Sequence, residues 1–274
     1  MSNQTSGLKR DTVDKFYTKN DVVSECVDKI RELVSIDDST HYIIEPSAGN
    51  GSFIPSIITL ATNIKCYDIK PEHTSIEQQD YLTLDISIFK DKKCHVIGNP
   101  PFGRQSSLAI KFIKQSCKYA ESVSFILPKS FKKDSLKDKV PLNFHCVYEY
   151  ELPVNSFLLN GNDHDVPCVF QIWVKKDTLR NKTVKLTPNG YTFVKKTCNH
   201  DVSFRRVGVN AGNISTDTDD KSIQSHYFIK FNDNILNNDS LQKIKNINFL
   251  KSSDTVGPKS ISKQELIKEF NMVL

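Results

Sequence analysis

The sequence predicts an α/β fold of the Rossmann-like kind, a mainly parallel sheet with an antiparallel final hairpin and a small β-rich C-terminal extension. Three observations carry this. Four apolar runs, Tyr42-Ile43-Ile44, Ile64 to Tyr67, His95 to Gly98 and Val123 to Leu127, alternate with stretches of helical periodicity, as strands buried on both faces of a parallel sheet do. All four runs stop on a polar or proline-bearing corner: Glu45-Pro46, Asp68, Asn99-Pro100-Pro101 and Pro128. Two later runs, Phe144 to Leu152 and Cys168 to Lys175, are close enough in sequence to pair as an antiparallel hairpin at the sheet edge.

Composition is that of a folded protein with a real core. The 274 residues are 38% hydrophobic and 25% charged, enough for one generous domain and a smaller appendage. A formal net charge of +5 leans towards an anionic partner. The seven cysteines are scattered singly with no Cys-x-x-Cys pair, which reads as free thiols of a reducing compartment and gives no metal site. No apolar run approaches a membrane span, and the polar start from Met1 to Asp11 lacks the apolar core of a signal peptide. The expectation is a soluble intracellular protein, cytoplasmic or nuclear, with residues 1–14 disordered, a main domain over 15–178 and the extension over 179–274.

Taken in order, Phe16-Tyr17-Thr18 precedes Val22, Val23, Cys26, Val27 and Ile30 at helical spacing. Thr18 and Asp21 have the spacing of a capping box, and Phe16 with Tyr17 that of a hydrophobic staple. The first strand runs into Glu45-Pro46-Ser47-Ala48-Gly49-Asn50-Gly51, where glycines allow a sharp turn and close approach of a ligand. Asp68 follows about twenty residues after that turn, where dinucleotide folds put a carboxylate on ribose hydroxyls. Asp80 and Tyr81 lie one strand further on, an acceptor and a ring suited to an adenine. The third long strand ends at Asn99-Pro100-Pro101-Phe102, because prolines cannot donate to a ladder. A crossover helix is expected from Ser106 and Ser107, and Pro128 closes the next strand. Lys129, Lys132, Lys133, Lys137 and Lys139 then crowd a loop that reads as a phosphate contact at the same sheet edge, or simply as a wet surface. Beyond Thr178 come strand-like islands at Tyr191 to Val194, Val202 to Val209 and Tyr227 to Phe231, then a helix capped by Ser262 and Glu265. Arg205 and Arg206 are that region's candidates for touching nucleic acid.

With Asn-Pro-Pro-Phe, a glycine loop after the first strand and acids after the second and third, residues 15 to 175 resemble the S-adenosylmethionine-dependent N6-adenine methyltransferases. The motif order is similar to that of type I and many type II restriction-modification methylases. The resemblance implies the class I methyltransferase fold with a seven-stranded sheet, S-adenosylmethionine as cofactor, no metal, and DNA or RNA as substrate. It implies that Phe16, Tyr17 and Thr18 close over the methionine part, and that Glu45, Pro46, Ala48, Gly49 and Gly51 line methionine and ribose. Asp68 would hold the ribose, Asp80 and Tyr81 the adenine. Asn99, also bordering the cofactor, and the Pro100 carbonyl would grip the target amino group beside Pro101. Phe102 would stack on a flipped base, with Phe157 as a second ring. The 179–274 extension stands where that family carries its target-recognition region, and a second subunit is a further expected partner.

The residue types suit such chemistry. An adenine amino group is a poor nucleophile, and two neutral acceptors taking both its hydrogens favour a tetrahedral nitrogen with an available lone pair. Two other activities fit the same motif: methylation of a protein glutamine amide, disfavoured by phenylalanine where those enzymes carry tyrosine, and a non-catalytic nucleic-acid-binding subunit, disfavoured by the intact Asn99, Gly49 and Asp68.

Overall fold

The computed structural model describes residues 16–274 apart from Asn234; the expected disordered start over 1–14 lies outside the described residues. The described chain divides into two compact units: one comprises residues 16–127 and 143–180, and the other comprises Pro128–Leu142 and Asn181–Leu274.

In the first unit the elements run β1 (Tyr17–Thr18), α1 (Asn20–Leu33), β2 (Tyr42–Glu45), α2 (Ile54–Ile57), β3 (Asn63–Asp68), β4 (Glu77–Gln78), β5 (Cys94–Gly98), α3 (Ser107–Ser116) and β6 (Ala120–Pro128). After α4 (Asp134–Lys137), which belongs to the second unit, come β7 (Phe144–Glu151), β8 (Phe157–Leu159), β9 (Asn162–His164) and β10 (Cys168–Lys175). Seven of these strands form one sheet in the order β4-β3-β2-β5-β6-β10-β7. Strands β4, β3, β2, β5 and β6 pair in parallel, and β7 runs antiparallel to β10 at the edge. Counted within the sheet alone, the order is 3-2-1-4-5-7-6, the mainly parallel sheet with an antiparallel final hairpin that characterises Rossmann-like class I methyltransferases. The strand order reverses between β2 and β5, so a crevice for ligands is expected outside their carboxyl ends.

Burial explains the apolar runs. Ile43, Ile97, Ile126 and Ile172 from four sheet strands pack with Val23, Val27 and Ile30 of α1 in one core. Helix α1 has Lys19, not Thr18, at its N-cap and no side-chain cap, so the expected Thr18–Asp21 capping box does not form. The reason is tertiary pairing: Thr18 is extended, faces Phe157 in the ladder and is buried. The expected staple is likewise replaced by the small sheet β1-β8-β9, in which Tyr17 opposes Leu158 and Phe157 opposes His164. The segment after Phe53 yields only the single turn α2, with Pro55 in its first turn.

The second unit carries a four-stranded antiparallel sheet, β11 (Tyr191–Val194), β14 (His226–Phe231), β12 (Val202–Arg205) and β13 (Ile214–Ser215), in that order. Helices α5 (Asn238–Lys245) and α6 (Lys263–Val273) each start with a capping box, the latter from Ser262 and Glu265 as the sequence suggests. Tyr191, Phe204, Ile229, Phe231, Leu266 and Phe270 make its core. The lysine-rich segment is tied into this unit: Lys133 Nζ donates to the Ser260 carbonyl at 2.8 Å and pairs with Glu265 at 3.2 Å, and Lys132 lies 3.7 Å from Asp254. Among the described residues no helix is long and apolar enough to cross a membrane, and no His, Cys, Asp and Glu group has the arrangement of a metal site.

At the amino end of β5, His95 is buried, with Nε2 3.0 Å from His41 Nδ1 and Nδ1 2.8 Å from Ser122 Oγ. The Asp37 amide also donates to His41 Nδ1, so His95 Nε2 carries the hydrogen and its Nδ1 accepts from the serine. Burial, reinforced by His41, pushes the His95 imidazole from its ordinary 6.5 down to about 4. The unfolded chain therefore binds this proton at higher pH than the folded one. Stability from this group is fully present above pH 6.5 and lost as pH falls through 4, up to about 3 kcal/mol. Melting temperature measured between pH 4 and 7 should fall on acidification, and His95→Gln should flatten that slope.

Candidate active site

Both corners expected from the sequence stand at the switch point of the sheet. Beyond β2, the Ala48 amide donates to the Tyr67 carbonyl at 2.9 Å, which ties the turn to β3, and the Gly51 amide returns to the Ala48 carbonyl at 2.7 Å. Gly49 and Gly51 have φ of 54° and 82°, conformations that disfavour a side chain. The Gly49 amide donates to Asp68 Oδ2 and the Lys70 amide to Asp68 Oδ1, both at 2.8 Å. A carboxylate has about four acceptor sites, so Asp68 positions the turn and keeps capacity for a ligand's hydroxyls. Asp68 and the glycine turn thus form a single hydrogen-bonded unit at the ends of neighbouring parallel strands.

A Cβ at Gly49 would fall 3.2 Å from the Tyr17 ring, which therefore lies close over the turn. Tyr17 Oη donates to Glu72 Oε2 at 2.6 Å, and the Glu72 amide donates to the Gly49 carbonyl at 2.9 Å. Burial, then the bond to Glu72, raises the Tyr17 phenol well above its ordinary range, so it stays a donor. Glu45 is 1% exposed, with Oε2 3.8 Å from Cys66 Sγ. Its burial pushes the carboxyl from 4.5 up to about 8.

The β5 corner is held from the other side. After Pro100 and Pro101, the Phe102 carbonyl accepts from the Leu108 and Ala109 amides at 3.1 and 3.3 Å and so caps α3. Gly103 has φ 67°, and a Cβ there would meet Leu108 Cγ at 2.8 Å. Gln105 and Ser106 follow with φ of 52° and 61°, a strained pair of the kind that costs about 1–3 kcal/mol each and clusters at functional sites. Asn99 is half-buried; its Nδ2 donates to Thr18 Oγ1 at 3.3 Å and to the Phe16 carbonyl at 3.5 Å. With both amide hydrogens turned to the β1 segment, Oδ1 is left as the acceptor. Ser47 Oγ donates to the Asn99 carbonyl at 3.2 Å and joins the two corners.

The aromatic candidates divide. Phe102 is half-buried against the core. Phe157 is 1% exposed and packs within the core. Tyr81 is also 1% exposed; its hydroxyl meets Ser116 and Tyr119, and its ring stacks on Phe112. Asp80 caps the turn that follows it by accepting from the Leu82 amide at 2.9 Å. Pro46, Ala48 and Pro100 are buried and Pro101 half-buried at the corners. Lys129, Lys132, Lys133, Arg205 and Arg206 belong to the second unit. Arg205 Nε turns back to the Val207 carbonyl at 3.1 Å, and Arg206 Nη2 donates to the Gln224 carbonyl at 2.7 Å.

Sequence reasoning missed three partners. Glu72 clasps Tyr17. Thr18 orients Asn99 instead of capping a helix. His164 stacks on Phe16 at 4.8 Å with planes 2° apart. His164 is brought there by a two-residue turn at Asn160-Gly161, both with positive φ, and Asn-Gly between strands is the strongest short hairpin signal.

Chemically the arrangement offers a backbone cradle with an adjoining carboxylate at one corner and a fixed neutral acceptor at the next. Because the Glu45 pKa is raised by folding, the stability it contributes is fully present below pH 4.5 and lost as pH rises through 8. Glu45→Gln should accordingly flatten the alkaline decline of melting temperature between pH 5 and 9, the opposite arm from His95.

No protein-family model matches the chain. Two curated proteins do, both from Haemophilus influenzae: the type II methyltransferases M.HincII and, from strain Rd, M.HindII, each 27% identical over 154 residues. The aligned part is 55% of this chain and 26% and 25% of theirs, so it spans about a quarter of the length of these relatives. Among solved structures, the 23S rRNA methyltransferase ErmE aligns with a TM-score of 0.45 and 13% identity over 62% of this chain and 73% of its own. The N-methyltransferase NodS of Bradyrhizobium japonicum aligns at 0.40 and 10%, over 58% of this chain and 99% of its own. At these scores neither bears on substrate.

Proposed function

We propose that this chain, a member of the S-adenosylmethionine-dependent methyltransferase family, transfers a methyl group to the N6 amino group of adenine in a nucleic acid, DNA or RNA. The observation that carries the reading is the Asn99 amide, whose hydrogens are engaged by Thr18 and Phe16 so that Oδ1 is left as an acceptor. An exocyclic amino group has two hydrogens to give, and Asn99 Oδ1 with the Pro100 carbonyl takes them. Nitrogen hydrogen-bonded in this way loses conjugation with the ring and directs its lone pair outward, without a strong base.

The glycine turn fits the cofactor: two positive-φ glycines leave an uncluttered backbone cradle, and Asp68 retains acceptor capacity for ribose hydroxyls. When bound, S-adenosylmethionine supplies an electrophilic methyl on a sulfonium. The protein's part is positional. Glu45, Ala48, Gly49 and Gly51 border the cofactor and Tyr17 covers it, while Asn99 aligns the amino nitrogen; alignment alone can supply several kcal/mol of a barrier. Phe102, half-buried at the same corner, is the ring on which an extruded base stacks, returning about 1–3 kcal/mol against an extrusion cost of a few.

Asn99→Ala should lower single-turnover methyl transfer to an adenine-containing oligonucleotide by at least about a hundredfold, the usual scale for a positioned hydrogen-bonding group. Its S-adenosylmethionine affinity by calorimetry should stay near that of the unmodified chain; near-normal turnover would defeat the mechanism. Thr18→Val, which frees the amide, should lower the transfer rate by a smaller factor with cofactor affinity retained. Asp68→Ala should do the reverse, weakening cofactor binding by about tenfold or more, the worth of a charge-assisted hydrogen bond. Mass spectrometry of DNA, RNA and protein pools incubated with labelled cofactor identifies the modified unit, and label on protein glutamine alone would replace this reading.

A further inference from the structure

We infer that the second unit carries a binding groove for single-stranded nucleic acid, built from Phe193, Lys195, Lys196, Ile223, Tyr227 and Lys263. This inference deepens the proposed action on nucleic acid and rests on it for its place in the reaction. The groove has a volume of about 360 Å³, at the lower end of the range of small-ligand pockets. Three lysines line it, and among the described residues no carboxylate does.

The cations are arranged around rings. Lys263 Nζ lies 4.7 Å from the Phe193 centroid and 5.6 Å from that of Tyr227, and Arg206 lies 5.5 Å over Tyr227. The two rings meet edge to face at 5.6 Å and both are half-buried, and Tyr227 turns one face inward to the buried Phe204, whose ring lies 6.4 Å away and 11° from parallel. Lys196 Nζ is braced by the carbonyls of Asp219 and Lys221 at 2.6 and 2.9 Å. Of the acids nearby, Glu265 pairs with Lys133 and accepts from the Ser262 amide, and Asp220 pairs with Lys221. The groove is therefore a positive field over an aromatic floor, with the apolar Ile223 69% exposed beside it.

Only one ligand class uses every part of this. A single strand presents base faces for Phe193 and Tyr227 and phosphates for the lysines. A duplex hides its base faces in its own stack, and an acidic peptide answers the lysines but not the rings. The two arginines picked out by sequence then separate in role: Arg206 borders the groove over Tyr227, whereas Arg205 braces its own turn.

The test uses the full chain and a fluorescent oligothymidylate of about ten nucleotides, within the usual site size for such grooves, read by anisotropy across a salt series. Lys195→Gln with Lys263→Gln should weaken binding about tenfold and make the log–log salt dependence shallower by about 0.7 per lysine removed. Phe193→Leu should weaken binding with the salt slope unchanged. Should Phe193→Leu fail to fold, the exposed lysine pair carries the test alone. Equal binding by the lysine variant and the unmodified chain overturns the groove, as does displacement of the strand by polyglutamate as readily as by unlabelled oligonucleotide, or a preference for the duplex. Calorimetry with S-adenosylmethionine on the same samples keeps the two claims apart. Lost strand binding in the variants without any cofactor binding leaves the groove and removes the enzyme; normal methyl transfer with unaltered strand binding leaves the enzyme and removes the groove.

Discussion

Two prolines in a row set the geometry of the candidate site. Pro100 and Pro101 cannot donate to the ladder beside β5, so the chain must leave the sheet there, at the point where strand order reverses. What it does next is over-determined: the Phe102 carbonyl caps α3, Gly103 sits where a Cβ would strike Leu108, and Gln105 and Ser106 are driven into left-handed conformations. Strain of that kind persists only when the surroundings hold it. The capped helix and the buried sheet on either side hold it, and Asn99 is fixed at the tip as a result.

The two-residue strand β1 then links the corners. Successive side chains of a strand leave opposite faces, and here the alternation separates two tasks. Tyr17 covers Gly49 and bonds Glu72, while Thr18 reaches Asn99. A shift of one residue in the pairing with β8 would exchange those partners. Register at Tyr17–Leu158 and Thr18–Phe157 is thus what couples the glycine turn to the amide, and burying Phe157 in the core is one way that register is kept. The residue read from the sequence as a second stacking ring has this packing role in the structure.

The sheet strands and both corners were legible because prolines, glycines and apolar runs constrain the backbone locally, wherever the rest of the chain goes. Thr18, Tyr81 and the lysines after Pro128 were harder for the same reason turned round. Thr18 has a capping residue's spacing, yet a strand some 140 residues later in sequence decides its conformation. Tyr81 follows an acid as a cofactor-reading ring would, but Ser116 and Tyr119 of a later segment take its hydroxyl into the core. Lys133 looks like a solvated charge until Glu265 and Ser260 come to meet it. The Asn160-Gly161 hairpin is the exception, a local signal that could have been read.

The charges around the switch point follow a pattern that suits the proposed chemistry. Glu45, immediately behind the glycine turn, is held in its neutral form well above the ordinary carboxyl range by burial, and Asn99 is neutral by nature. The carboxylate that engages the turn, Asp68, is at the end of the next strand out. A sulfonium carries its positive charge most strongly before the methyl leaves, so an ionised group beside the sulfur would stabilise the bound ground state more than the transition state and slow the step. In the proposed reaction, neutral groups at the two corners, with the fixed negative charge displaced to the end of the next strand, would let the site hold a cationic cofactor without spending that affinity against methyl transfer.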